Sequence, residues 1–159
     1  PLDKFFATYP DFSYNPAAPC KSEFKRLCTL RGWKPDSKGH FRTARMAFAR
    51  ATGEELLSHL ERNGTDDSLP WRRMCRILNL RKGDGLRPKS KTQCKKVLNG
   101  TFFNIFDFVD YLHHQTELKR FQSLKALAEY SYDEDKVYPK AAAKGNELFR
   151  FLLHRISSA

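Results

Sequence analysis

Apolar positions recur at helical spacing along most of the chain. From Lys21 to Trp33, Phe24, Leu27, Cys28 and Leu30 form one apolar face, Ser22 is a candidate cap, and Gly32 ends the pattern. Phe41, Ala44, Phe48 and Ala51 repeat at i, i+3, i+7 and i+10, so the chain from His40 or Phe41 to about Leu60 reads as helical. Thr52-Gly53-Glu54-Glu55 is expected to interrupt it, with Thr52 capping a restart above acids in the new first turn. Ser68 and Pro70 suit the start of a further helix. At about 100° per residue its Trp71, Met74, Cys75 and Leu78 share one arc, opposite Arg72, Arg73 and Arg76.

After a turn-rich loop from Arg81 to Lys91, the stretch from Ser90 to Asn99 carries Cys94, Val97 and Leu98 on a buried stripe, with Lys95 and Lys96 facing away. The most apolar segment, Thr101 to Thr116, places Ile105, Phe108, Val109 and Leu112 on one face below Thr101 or Asn104 as cap. Asp107 and Asp110 fall on its polar side. Lys119 to Phe121 is short and extended, Ser123 caps Leu124–Tyr132, and Lys140 to Ile156 is predicted as one closing helix. No run of alternating strands is visible. The predicted fold is mainly α: a single compact domain of six or seven helices, with at most a small strand pair. Residues 1–20 form an aromatic N-terminal arm and 21–159 the helical domain. Phe5, Phe6, Tyr9, Phe12 and Tyr14 stand between prolines in that arm, which bars a long helix and favours rings packed onto the domain over a platform for bases.

Charge changes the picture most. The chain has 29 Lys and Arg against 18 Asp and Glu. From Trp71 to Gly100 the cations are Arg72, Arg73, Arg76, Arg81, Lys82, Arg87, Lys89, Lys91, Lys95 and Lys96, and the one anion is Asp84. Such concentration calls for a polyanionic partner or a well-hydrated surface. A second basic set lies between Lys21 and Arg50 and includes Lys25, Arg26, Arg31, Lys38, Arg42 and Arg45. The expected function is a nucleic-acid-binding module, for DNA or RNA, that contacts the phosphate backbone. An acidic protein or a partner helix is the alternative partner. Gly83-Asp84-Gly85 offers turn amides to a phosphate, but no Gly-Lys-Ser/Thr follows as in a phosphate loop.

Enzyme motifs are missing: no G-x-S-x-G, H-E-x-x-H, Gly-rich dinucleotide loop or deaminase pattern occurs, so no catalytic residue is expected. Cys20, Cys28, Cys75 and Cys94 lack paired zinc spacing, and His113-His114 are adjacent rather than spaced; neither cofactor nor metal is expected. Three of these cysteines fall among apolar helical positions, as reduced thiols of an intracellular protein do, nuclear or cytoplasmic. No apolar run is long enough to span a membrane, and no signal-peptide pattern opens the chain.

Phe5-Phe6, Tyr9-Pro10, Phe12, Tyr14, Pro16, Glu23-Phe24, Arg26-Leu27 and Gly32-Trp33 together resemble an uncharacterised domain of filamentous fungi. The segment Cys94 to Asp110 and the Phe149-to-Leu153 helix resemble its C-terminal half. The resemblance covers most of the chain and implies an all-helical domain; no activity comes with it.

Overall fold

The periodic stretch after Gly39 folds as one uninterrupted helix, α3 (His40–Leu60), 21 residues and about 31 Å long. In this computed structural model, which describes residues 1–35, 39–61 and 66–156, α3 is the strut around which the other elements pack. Before it lie α1 (Leu2–Ala7) and α2 (Cys20–Arg31). After it come α4 (Leu69–Ile77), α5 (Lys91–Leu98), α6 (Ile105–His114), α7 (Leu124–Asp133), a 3-10 turn (Lys140–Ala143) and α8 (Glu147–Ile156). Among the described residues the only β pairing is one antiparallel bridge, Phe102 to Phe121. The chain is a single compact, mainly α domain.

The break expected at Thr52–Glu55 does not occur. Thr52 caps nothing; its hydroxyl donates to the Phe48 carbonyl inside the helix at 2.9 Å. Gly53 provides clearance rather than flexibility. A Cβ there would lie 2.6 Å from Tyr138 Oη and 3.0 Å from Phe149 Cε2. Tyr138 comes this close because its hydroxyl donates to the Ala49 carbonyl at 2.7 Å.

Aromatic rings fill the centre. Phe48 of α3 stacks on Phe24 of α2 at 4.5 Å and on Phe106 of α6 at 5.6 Å, with planes tilted by only 6° and 2°. The buried Lys21 holds its ammonium 5.2 to 5.9 Å above these three rings, and burial pushes its pKa down. The arm packs inward: Phe5, Phe6 and Phe12 are buried, and Phe6 stacks on Tyr14 at 4.2 Å.

Three helix starts follow the sequence. Ser90, Asn104 and Ser123 accept from the amides of Gln93, of Phe106 and Asp107, and of Ala126. Two differ. α2 begins at Cys20, ahead of Ser22, because the Asp110 carboxylate of α6 accepts from the Cys20 amide at 2.9 Å and caps it across the core. Ser68 turns its hydroxyl to Asp66 and caps no amide. The predicted closing helix is split: the left-handed Gly145 (φ 87°) ends the 3-10 segment, and Asn146 opens α8 by accepting from the Phe149 amide. Leu30, assigned to the apolar face of α2, is more than half exposed.

Candidate nucleic-acid interface

The interface begins with a seam. α4 turns Trp71, Met74 and Cys75 inward, and α5 answers with Cys94 and Leu98. Cys75 and Cys94 are both buried there, and burial raises both thiols above their ordinary value. All four cysteines are free and buried.

The connecting loop is closed by its own chemistry. Asn79 takes a left-handed φ of 56°, and the Leu80 amide donates to the Cys75 carbonyl at 2.8 Å, ending α4. The Lys82 amide donates to the Leu86 carbonyl, and the Gly85 amide to the Lys82 carbonyl. Asp84 accepts from the Leu86 amide at 2.9 Å and from the Lys82 ammonium at 3.2 Å, which holds its carboxyl below the usual range. The amides of Lys82, Gly85 and Leu86 are therefore engaged within the turn, and the phosphate cradle raised by Gly83-Asp84-Gly85 is not formed by them. Leu86 remains 57% exposed at the tip.

The ten cations divide by employment. Arg72 pairs with Asp66 at 2.7 Å and donates to Ser68. Arg73 donates to the Leu60 carbonyl at 3.0 Å, at the last turn of α3. Arg81 reaches the Gly85 carbonyl. Arg87 closes the loop base on the Leu80 carbonyl and Asn79 Oδ1. Lys91 pairs with Asp67 and Glu147, and Lys95 with Glu147 at 3.1 Å. Both ammoniums also lie over the Trp71 ring, at 5.9 and 5.2 Å. The bond that Lys91 donates to Glu147 is the chief reason that the Lys91 pKa is raised, and the two lysines keep the Glu147 carboxyl low. Arg76, Lys89 and Lys96 are exposed and make no side-chain hydrogen bond or ion pair with the described residues.

The second basic set is built differently. Arg26 clamps the arm: it pairs with Glu23 at 2.7 Å, donates to the Ser13 carbonyl and lies 4.3 Å over Phe12. Arg31 pairs with Asp11 and lies over Tyr9. Lys25 reaches the Glu134 carbonyl, and Arg45 the Val137 carbonyl at 3.1 Å. Arg42 is exposed, beside a cavity of about 470 Å³ that Arg45, Tyr132 and Asp135 also line. Lys38 lies outside the described residues. Arg45 and Leu60, where Arg73 binds, are 15 residues apart on α3, about 22 Å along its axis.

Asp107 and Asp110 are both engaged inside the protein: Asp107 accepts from Tyr130 and Lys136 at 2.7 and 2.8 Å, while Asp110 caps α2. The partners that sequence reasoning missed are Asp66, Asp67 and Glu147. The first two precede α4 in the chain and turn onto α4 and α5. Glu147 carries no sequence signal toward Lys91 and Lys95, being more than fifty residues away. No helix among the described residues is long and apolar enough to cross a membrane. No protein-family model, no curated protein and no solved structure matches the chain.

Proposed function

We propose that the edge formed by α4, its loop and α5 binds the phosphate backbone of a nucleic acid, without catalysis. Arg76, Lys89 and Lys96 supply the contacts, joined by Arg81, whose guanidinium is exposed. The observation that carries this reading is the set of exposed cations between Arg76 and Lys96 without carboxylate partners among the described residues, where the single acid, Asp84, is taken by Lys82. Lys91 and Lys95 belong to an internal ion-pair cluster, and Arg72, Arg73 and Arg87 to the scaffold.

The test is fluorescence anisotropy with labelled duplex DNA and single-stranded RNA across a salt series. Each phosphate contact contributes roughly 0.7 to 0.9 to the slope of log K against log salt. Arg76→Ala with Lys96→Ala should lower that slope by about 1.4 to 1.8, leave the melting temperature in place and weaken many sequences alike. Arg73→Ala should instead lower the melting temperature, through the lost bond to Leu60. Wild-type protein that shows no salt-sensitive binding rejects the reading. A second reading, docking of an acidic peptide, is favoured by the exposed Leu86 and by a groove of about 490 Å³ where Lys95, Lys140 and Arg150 rim Phe151 and Leu153. Binding of poly-glutamate peptides, with none of nucleic acid, would select it.

A further inference from the structure

Away from the basic edge, three side chains with metal-ligating atoms meet where two helices end. Glu55 and His59 stand four residues apart on α3, so one face presents both. His113 comes from the last turn of α6, which packs on α3. A ligand atom of each lies within 4.8 Å of the other two. Glu55 Oε1 and His113 Nε2 are 3.0 Å apart, and the His59 and His113 rings 5.5 Å, centre to centre.

We propose that Glu55, His59 and His113 form a zinc site that joins α3 to α6. Tetrahedral zinc holds nitrogen and oxygen at 2.0 to 2.2 Å, which places neighbouring ligand atoms about 3.3 Å apart. Glu55 and His113 already stand near that separation at 3.0 Å, and rotation of the His59 side chain closes the remaining distance from within 4.8 Å. Two imidazoles and one carboxylate suit zinc; calcium and magnesium require oxygen donors throughout. Three protein ligands leave one position for water.

Two features of the surroundings favour the ion. His59 and His113 both occupy the last turn of their helices, where exposed carbonyls make the field negative and attract a cation. The Leu2 amide donates to Glu55 Oε2 at 3.0 Å, an outer-shell bond that orients the carboxylate and leaves Oε1 toward His113. The Glu55 and His113 side chains keep 16% and 21% of their surface exposed, so an ion has a way in from solvent. A search for paired cysteines or closely spaced histidines passes over this set. Its ligands come from two helices 58 residues apart, and one is a carboxylate.

The experiment uses zinc chloride alone, without nucleic acid, on chain first stripped with chelator. Calorimetry should give one zinc per chain. Side-chain NMR of the five histidines should move the ring nitrogens of His59 and His113 together and leave His40 and His114 in place. Loss of an outer-shell partner costs about 10- to 100-fold in metal affinity, so His59→Ala and Glu55→Gln should each weaken zinc by more than about 100-fold. Absence of one-to-one binding overturns the proposal. So does affinity unchanged in both variants, since zinc then binds elsewhere. His113→Ala can disturb the joint with α6; the half-buried His59 and the isosteric Glu55→Gln keep the result readable if that variant melts early.

Discussion

The two basic blocks look alike as sequence and differ as structure. In the first, around α4 and α5, Arg76, Lys89 and Lys96 project without partners among the described residues. In the second, around α2 and the start of α3, Arg26 and Arg31 fasten the aromatic arm, while Lys25 and Arg45 fasten the chain after α7. Net charge reports how many cations a segment carries; whether they are available to a partner depends on which carbonyls and rings lie within reach of their stems. Arginine is prone to the second use, because its fork satisfies several acceptors while its stem covers a ring. α3 holds the two blocks apart like a ruler.

The largest expected effect tests what the first block stands on. The Trp71 indole is buried, meets Phe151 edge-on at 5.4 Å and carries the Lys91 and Lys95 ammoniums on its surface. Trp71→Ala should therefore cost about 3 to 5 kcal/mol in urea unfolding. A loss below about 1 kcal/mol would mean that the presented cations rest on a peripheral hairpin, and the contrast with the clamped block would weaken.

A smaller effect tests the ruler itself. At an ordinary helix position Gly→Ala gains about 1 kcal/mol. Gly53→Ala should instead lose about 1 to 3 kcal/mol, because the new methyl meets Tyr138 Oη at 2.6 Å. Adding Tyr138→Phe removes that oxygen and should recover part of the loss, although Tyr138→Phe alone gives up the bond to Ala49. Thermal melts of the two single variants and the double variant read the cycle. A stabilising Gly53→Ala would mean that the methyl finds room beside Tyr138 and that Gly53 is an ordinary position of α3.

What the sequence made legible was local. Helical faces, the mainly α class, the helix start at Ser90 and the caps at Asn104 and Ser123 depend on residues within a turn of one another, where spacing and geometry are the same information. What it hid was long-range. Asp110 caps α2 from 90 residues away, and Tyr138 explains Gly53 from the far side of the core. For the candidate interface the same division holds. The list of cations was readable, but their division into presented and clamped was not. It turns on the Leu60 carbonyl, Asp66, Asp67 and Glu147, each brought to its cation by the fold. The zinc trio joins both kinds: Glu55 and His59 are a helical pair in plain view, and His113 arrives only through the packing of α6 on α3.

The smallest expected effect separates the blocks by acid. Glu23 is the buried carboxylate of the clamped block, with partners in Arg26 and the Asn15 amide. Burial works against its charge, but those hydrogen bonds outweigh burial and hold its pKa below the ordinary 4.5. A carboxyl lowered on folding contributes stability that is present above its unfolded pKa and lost as pH falls through the folded one. The clamp should thus loosen from about pH 4.5 downward. In the first block, Asp66 and Glu147 are about half exposed, so solvent screens their pairs and titrating them matters less. Glu23→Gln should lower the melting temperature at neutral pH and flatten its fall between about pH 5 and pH 2. Asp66→Asn should leave the shape of that fall close to wild type. If Glu23→Gln runs parallel to wild type throughout, the carboxylate is not what holds the arm. Arg26 would then act through Ser13 and Phe12 alone, and acid would not tell the two blocks apart.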